Sequence, residues 1–278
     1  MIRSNHKPLT LLLLISTMLL MVSSQVPADE DGATTNRQWG TSSDLAKEQR
    51  WRDQIVDSLM DGDAVDLRAG DVTFLGLYTK ADEPTGRAAI IIHGIGVHPN
   101  WPQVVYPLRT GLPAEGWSTL AIQMPVLPNE ADSADYAPLM DEVAPRIEAA
   151  RAYLREQDVE RIAIIAHSLG ATMANQYLAE HPDGADAYVA IGTSGRGVHP
   201  DRDNRALIAE IEVPMLDLYG QQDLPGVVDS AEVRAAAGSA NTGYHQAVVP
   251  AADHFFDGEE DALVGTVVEW LDATLPPQ

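Results

Sequence analysis

The sequence runs to 278 residues with no cysteine and 45% apolar residues, enough for a large core that needs no disulfide. It carries 41 acidic against 18 basic residues, a formal charge of -23, and lysine occurs only at positions 7, 47 and 80. A field of that sign repels nucleic acid and anionic lipid surfaces, so neither is an expected partner; it suits solubility, or life in concentrated salt that screens the mutual repulsion.

The chain opens on Arg3 and Lys7, followed by an apolar stretch from Leu9 to Val22 and the small residues Ser23 and Ser24. This order predicts a secretory signal peptide over 1–24, cut near Ser24. The apolar stretch is short against the roughly 20 residues that span a bilayer, which disfavours the alternative of an uncleaved anchor. Export, most simply to the periplasm, is the expectation, with no integral membrane span after processing. The polar stretch 25–42 is expected to be a disordered leader, and 43–278 a single domain.

From Ser43 to about Met60, the positions of Leu45, Trp51, Ile55 and Leu59 predict a helix. A Gly-Asp turn inside 65–81 predicts a hairpin. The run AAIIIHG at 88–94 is apolar without alternation, as in a strand buried on both faces of a sheet. A helix should follow Pro102, carrying Val104, Val105, Leu108 and Leu112, and 117–125 reads as the next strand. Tyr136, Leu139, Met140, Val143, Ile147, Ala150 and Leu154 then recur near a period of 3.6, predicting one helix kinked at Pro145. Further strands are expected at 161–166, 185–194, 213–220 and 244–250, with a closing helix around 262–271. Strands alternating with helices imply an α/β fold: a mostly parallel sheet with helices on both faces and the hairpin as an antiparallel edge.

The strand RIAIIA ends in Ala166-His167-Ser168-Leu169-Gly170 and passes at once into a helical pattern. This is a G-x-S-x-G nucleophile elbow with alanine in the first glycine place. Ser168 is either a helix cap or a nucleophile, and a serine hydroxyl is a poor nucleophile until a base takes its proton. A suitable acid and base follow, each on a loop after a strand: Asp223 after 213–220 and His254 after 244–250. His254 would be the base, and Asp223 would hold its imidazole in the useful tautomer. Asp201 and Asp203 are rival acids. Asp217 and His245 fall inside strands, which suits a loop-borne role poorly. The Leu169 amide and the Ile95 amide, with Gly96 as alternative to the latter, are the candidate oxyanion donors. His93 is expected to bond loop backbone, His98 to be a solvent-exposed loop residue, Trp101 to pack at a helix start, and His167 to pack or bond locally.

On these residues the chain resembles the α/β-hydrolase superfamily over nearly all of its mature length, in the order Ser168, Asp223, His254. More narrowly, HGIGVHPNWPQVVYPLRTGLPAEGWSTLAIQMPVL (93–127) followed by AHSLGA looks like a family of exported proteobacterial hydrolases carrying a domain of unknown function. The resemblance implies a serine hydrolase and names no substrate. The sequence contains no phosphate loop, dinucleotide glycine pattern or metal-ligand cluster, so no cofactor and no metal are implied. The expected partner is a small acyl ester. Only about 20 residues separate the strand ending near Ser194 from the next, too few for a full lid, so an open pocket is expected, with 124–138 as the other segment able to cover it. Arg196 and Arg202 in the short insertion could attract an acidic substrate, or could be solvated surface arginines.

Overall fold

In the computed structural model, residues 40–199 and 201–277 are described. The signal peptide predicted over 1–24 and most of the stretch 25–42 lie outside them. Among the described residues no helix is long and apolar enough to cross a membrane.

The first helix, α1 (Leu45–Ser58), leads into the hairpin β1 (Asp63–Ala69) and β2 (Val72–Thr79), closed at Gly70 in the left-handed region. There follow β3 (Arg87–Ile92), α2 (Val105–Gly111), a 3-10 turn (Leu112–Glu115), β4 (Trp117–Ile122), a 3-10 segment (Ser133–Glu142) and α3 (Val143–Glu156). The second half contains β5 (Arg161–His167), α4 (Leu169–Glu180), β6 (Ala187–Ile191), α5 (Asn204–Ile208), β7 (Met215–Gly220), α6 (Pro225–Val228), α7 (Ala231–Gly238), β8 (Tyr244–Val249) and α8 (Glu260–Thr274). The eight strands form one sheet in the order β1-β2-β4-β3-β5-β6-β7-β8, with β2 antiparallel to both its neighbours, β1 and β4, and the other pairs parallel.

Every residue of β3, β4 and β6 is buried, because helices cover both faces. Alternate residues of one strand feed two cores. Ile90, Ile92, Ile162 and Ile164 pack with Ile147 and Leu154 of α3 and Tyr177 of α4. Ala89, Ile91, Ala163 and Ile165 pack with Leu108 of α2 and Leu263 and Val267 of α8.

Two local expectations are corrected. No single kinked helix runs from 136 to 154. The 3-10 segment meets α3 at Val143, and Pro145 is the third residue of α3. First-turn amides have no acceptor within the helix, so a proline there removes no bond and bends nothing. In α1, Leu45 is 49% exposed while Lys47 and Glu48 are buried. The reason is a matched set of polar partners. Arg146 donates to both Glu48 oxygens at 2.9 Å, and also to the Gln123 carbonyl. Lys47 Nζ donates to the Leu127 carbonyl at 2.8 Å and to Asn129 Oδ1 at 2.7 Å. Charge can be buried where each donor meets an acceptor, and here that pairing ties α1 to the segment after β4.

Candidate active site

β5 lies between β3 and β6, so the turn at its carboxyl end opens at the middle of the sheet, where ligands of open parallel sheets bind. Ser168 sits on that turn with φ 56° and ψ −120°, and its side chain makes no capping hydrogen bond to α4. A serine in a left-handed conformation is strained, and such strain persists only where surroundings impose it. Here the Ser168 amide donates to the Ile191 carbonyl at 2.8 Å. A Cβ on Gly170 would lie 2.3 Å from the His93 carbonyl oxygen, so only glycine lets α4 start this close to the end of β3. Ala166, in the other glycine position of the motif, is fully buried opposite Ile92 and Ala190, where a methyl group fits.

The loops after β7 and β8 bring Asp223 and His254 to the same turn. His254 Nε2 lies 3.0 Å from Ser168 Oγ, and His254 Nδ1 lies 2.6 Å from Asp223 Oδ1. A carboxylate only accepts, so Nδ1 carries the proton and Nε2 offers its lone pair to the serine hydroxyl. Asp223 is held in turn by the Leu224 amide, which donates to Oδ1 at 2.7 Å. Asp223 and His254 are both buried, and Ser168 is half-buried. Gly192, at the end of β6 with φ 62°, makes room for the imidazole.

The Leu169 amide is the first of α4 and has no acceptor within the helix. Among the described residues the Ile95 amide likewise donates to no backbone acceptor. Gly94 brings this loop to the elbow, since a Cβ there would be 3.3 Å from Ser168 Cβ. The Gly96 amide instead approaches the Tyr136 hydroxyl, which also accepts from Leu127 N at 3.0 Å. Ile95 is therefore the better placed of the two.

The rival residues stand elsewhere. Asp217 is wholly buried, where it accepts from Arg234 at 2.8 Å, Tyr244 at 2.8 Å and Gln246 at 2.9 Å. His245 is an exposed residue of β8. Asp203 accepts from the Ala206 amide as the cap of α5, and Asp201 is exposed.

His93 Nδ1 donates to the Gly94 carbonyl at 2.8 Å, and Nε2 accepts from Met124 N at 2.9 Å. Burial lowers its pKa to about 3, so it stays neutral as a loop fastener. His98 is not the solvated loop residue expected. Its ring meets Trp51 and Trp101 edge-on, and desolvation there lowers its pKa to about 4. His167 is more than packing. It is buried, its Nε2 donates to the His254 carbonyl at 2.9 Å, and its ring lies 4.8 Å from the His254 ring. Burial, reinforced by the neighbouring His254, lowers its pKa to about 4. The backbone of His254 is thus held from the elbow itself. Nothing in the sequence pattern signals that bond.

Ser168, Leu169, Ile95 and His254 line a cleft of about 350 Å³. Ala131, Ser133, Arg196 and Val198 belong to the same lining. Among the described residues the connection from β6 to β7 forms a loop and the short α5. Arg196 borders the cleft, whereas Arg202 is bound to Glu180 and Glu210. Among the described residues no three histidine, carboxylate or cysteine groups gather as a metal site requires.

The family model described as a protein of unknown function, DUF3530, matches residues 7–138 and 128–273. No curated protein matches the sequence at a significant level. Among solved structures, Est1E from Butyrivibrio proteoclasticus is similar with a TM-score of 0.62 at 14% identity, over 76% of this chain and 98% of that one. A dienelactone hydrolase from Anabaena variabilis gives 0.62 at 20% identity, over 76% and 96%. The esterase Pf2001 from Pyrococcus furiosus gives 0.63 at 16% identity, over 79% and 95%. At such identities the likeness carries the fold, and that fold is the α/β hydrolase.

Proposed function

Since the chain belongs to the DUF3530 family, whose function is unknown, its chemistry has to be read from its own side chains, and we propose that it is a serine hydrolase acting on carboxylic esters or thioesters. The observation that carries this reading is the chain of contacts Asp223 to His254 to Ser168, at 2.6 and 3.0 Å, at the mouth of an open cleft. Est1E, the dienelactone hydrolase and the Pyrococcus esterase share the fold and lend their reaction class to the reading.

In this mechanism Ser168 Oγ attacks the acyl carbon as His254 Nε2 takes the hydroxyl proton. Asp223 holds Nδ1–H and favours the imidazolium that forms. The Leu169 and Ile95 amides receive the negative oxygen of the tetrahedral intermediate, and one such donor is worth about 2.7–4 kcal/mol of barrier. His254 then gives its proton to the departing alcohol or thiol, leaving an acyl-enzyme on Ser168. Water, deprotonated by the same imidazole, releases the acid. An alkoxide or thiolate leaves more readily than an amide nitrogen, which favours esters and thioesters. The basic start, short apolar stretch and small residues of 1–24 support export to the periplasm, with removal near Ser24.

A fluorophosphonate probe tests the nucleophile. Labelling is expected in the intact protein and absent in Ser168→Ala, with an unchanged circular dichroism spectrum. His254→Ala should abolish turnover of a 4-nitrophenyl ester, whereas His245→Ala should leave it within twofold. Well-folded protein that takes no label, or turnover lost on replacing His245 and kept on replacing His254, would sink the proposal and leave an α/β-hydrolase fold used for binding.

A further inference from the structure

Resting on the hydrolase reading, we propose that Arg196 is the anion-recognising residue of the cleft, and that the substrate is a small ester with a carboxylate or phosphate at the end remote from the scissile carbonyl. Arg196 lines the same cleft as Ser168 and His254 and is an exposed residue. Three arginines stand close together in the connection from β6 to β7. Arg202 is bound to Glu180 and Glu210, and Arg205 to Asp203. Arg196, among the described residues, has no carboxylate within ion-pair distance, in a chain with 41 acidic residues. The other charged side chain of the cleft outside the Ser168 set is the exposed Asp132, whose own amide donates to Asp135 Oδ2 at 2.7 Å.

The loop beneath Arg196 is built to stay in place. Asn204 is fully buried, and its amide group donates to the Ser194 carbonyl at 3.0 Å and to the Arg196 carbonyl at 2.5 Å. Its own oxygen accepts from Asn175 at 3.1 Å. Gly195 N donates to Ser230 Oγ at 2.8 Å. A wholly buried amide spent on the backbone of a surface arginine fixes where that side chain starts. A guanidinium presents a planar fork that matches a carboxylate or phosphate with two parallel bonds. The same lining includes the apolar Ile95, Val198, Leu224 and Val227, which suit a short hydrocarbon spacer. The net charge of the chain opposes an anion from afar, but that field is screened beyond about 8 Å at physiological ionic strength, which leaves the local charges of the cleft, Arg196 and Asp132, to set where an anion rests.

The test compares the 4-nitrophenyl esters of hexanoic and adipic acid, which differ only by a terminal carboxylate, with the ester of 5-phosphonopentanoic acid separating phosphate from carboxylate preference. The intact protein should favour an anionic ester by roughly 5- to 10-fold in kcat/KM, the range of a partly exposed charge-assisted pair. Arg196→Gln should remove that preference through a higher KM, Arg196→Lys should keep part of it, and both should hydrolyse the hexanoate ester within twofold of the parent. Hexanoate turnover with no preference for either anionic ester, or a preference that survives Arg196→Gln, overturns this assignment and leaves the hydrolase reading standing. Failure to hydrolyse any of the three esters overturns both.

Discussion

Substituting Gly192 by alanine tests the geometry of the site more sharply than removing any of its functional groups. Gly192 has a φ of 62°, where an L-residue is strained by about 1–2 kcal/mol. A Cβ there would stand 2.9 Å from His254 Cε1, 3.0 Å from Nδ1 and 3.4 Å from Asp223 Oδ2. Carbon atoms in comfortable contact are about 3.5–4.0 Å apart, so the imidazole must retreat by roughly 0.6 Å or more. His254 is tied at both ring nitrogens, so such a movement disturbs the 2.6 Å bond to Asp223 or the 3.0 Å approach to Ser168. A misplacement approaching 1 Å in a reacting pair costs on the order of 100-fold in rate. Gly192→Ala should therefore lose about 1–2 kcal/mol in urea unfolding and on the order of 100-fold in both ester kcat and the rate of fluorophosphonate labelling. The circular dichroism spectrum should remain that of the parent. An alanine variant with parental turnover would mean that His254 does not work from the position described, whatever happened to stability.

Other outcomes follow from buried charge and buried imidazole. Arg234→Met strands Asp217, buried like its partner, and should cost about 3–5 kcal/mol, whereas Arg234→Met with Asp217→Leu should recover part of it in urea melts, the remainder reflecting Tyr244 and Gln246, which lose the same acceptor. Equal destabilisation of single and double variants would refute the pair as the cause. His93 and His167 have pKa values lowered from 6.5 to about 3 and about 4, chiefly by burial. Their depressed values mean that unfolding takes up protons below about pH 6.5, so their contribution is complete above that pH and is lost as pH falls toward the folded-state values. Each should add a slope of about 1.4 kcal/mol per pH unit. His93→Gln should flatten the unfolding free energy between pH 6.5 and 5 by that amount, and an unchanged slope would refute it.

The strands were legible because a sheet covered on both faces writes itself as uninterrupted apolar runs, AAIIIHG and RIAIIA above all. That Ser168, Asp223 and His254 each follow a strand was legible for the same reason, since strand ends and short loops can be read from pattern. Their chemical role rests on the tests above. What pattern could not show was charge turned inward. Glu48 and Arg146 are far apart in sequence, and each alone reads as surface; only the folded sheet brings them to 2.9 Å. The same blindness put Leu45 on the buried face of α1. A period of 3.6 also cannot separate an α-helix from a 3-10 segment running into one, which is why the break at Val143 went unseen. The bond from His167 to the His254 carbonyl joins the end of β5 to the loop after β8 and leaves no trace in local sequence.

β8 ends the sheet and has a neighbouring strand on one side only, and His254 hangs from the loop that leaves it. Ser168, by contrast, is rooted at the centre, flanked by strands on both sides. Margins of a sheet open at lower free energy than its middle. On the proposed function, the protein would then fall silent by letting go of its proton acceptor while its nucleophile still stood in place, and mild warming would disarm it well before the architecture gave way.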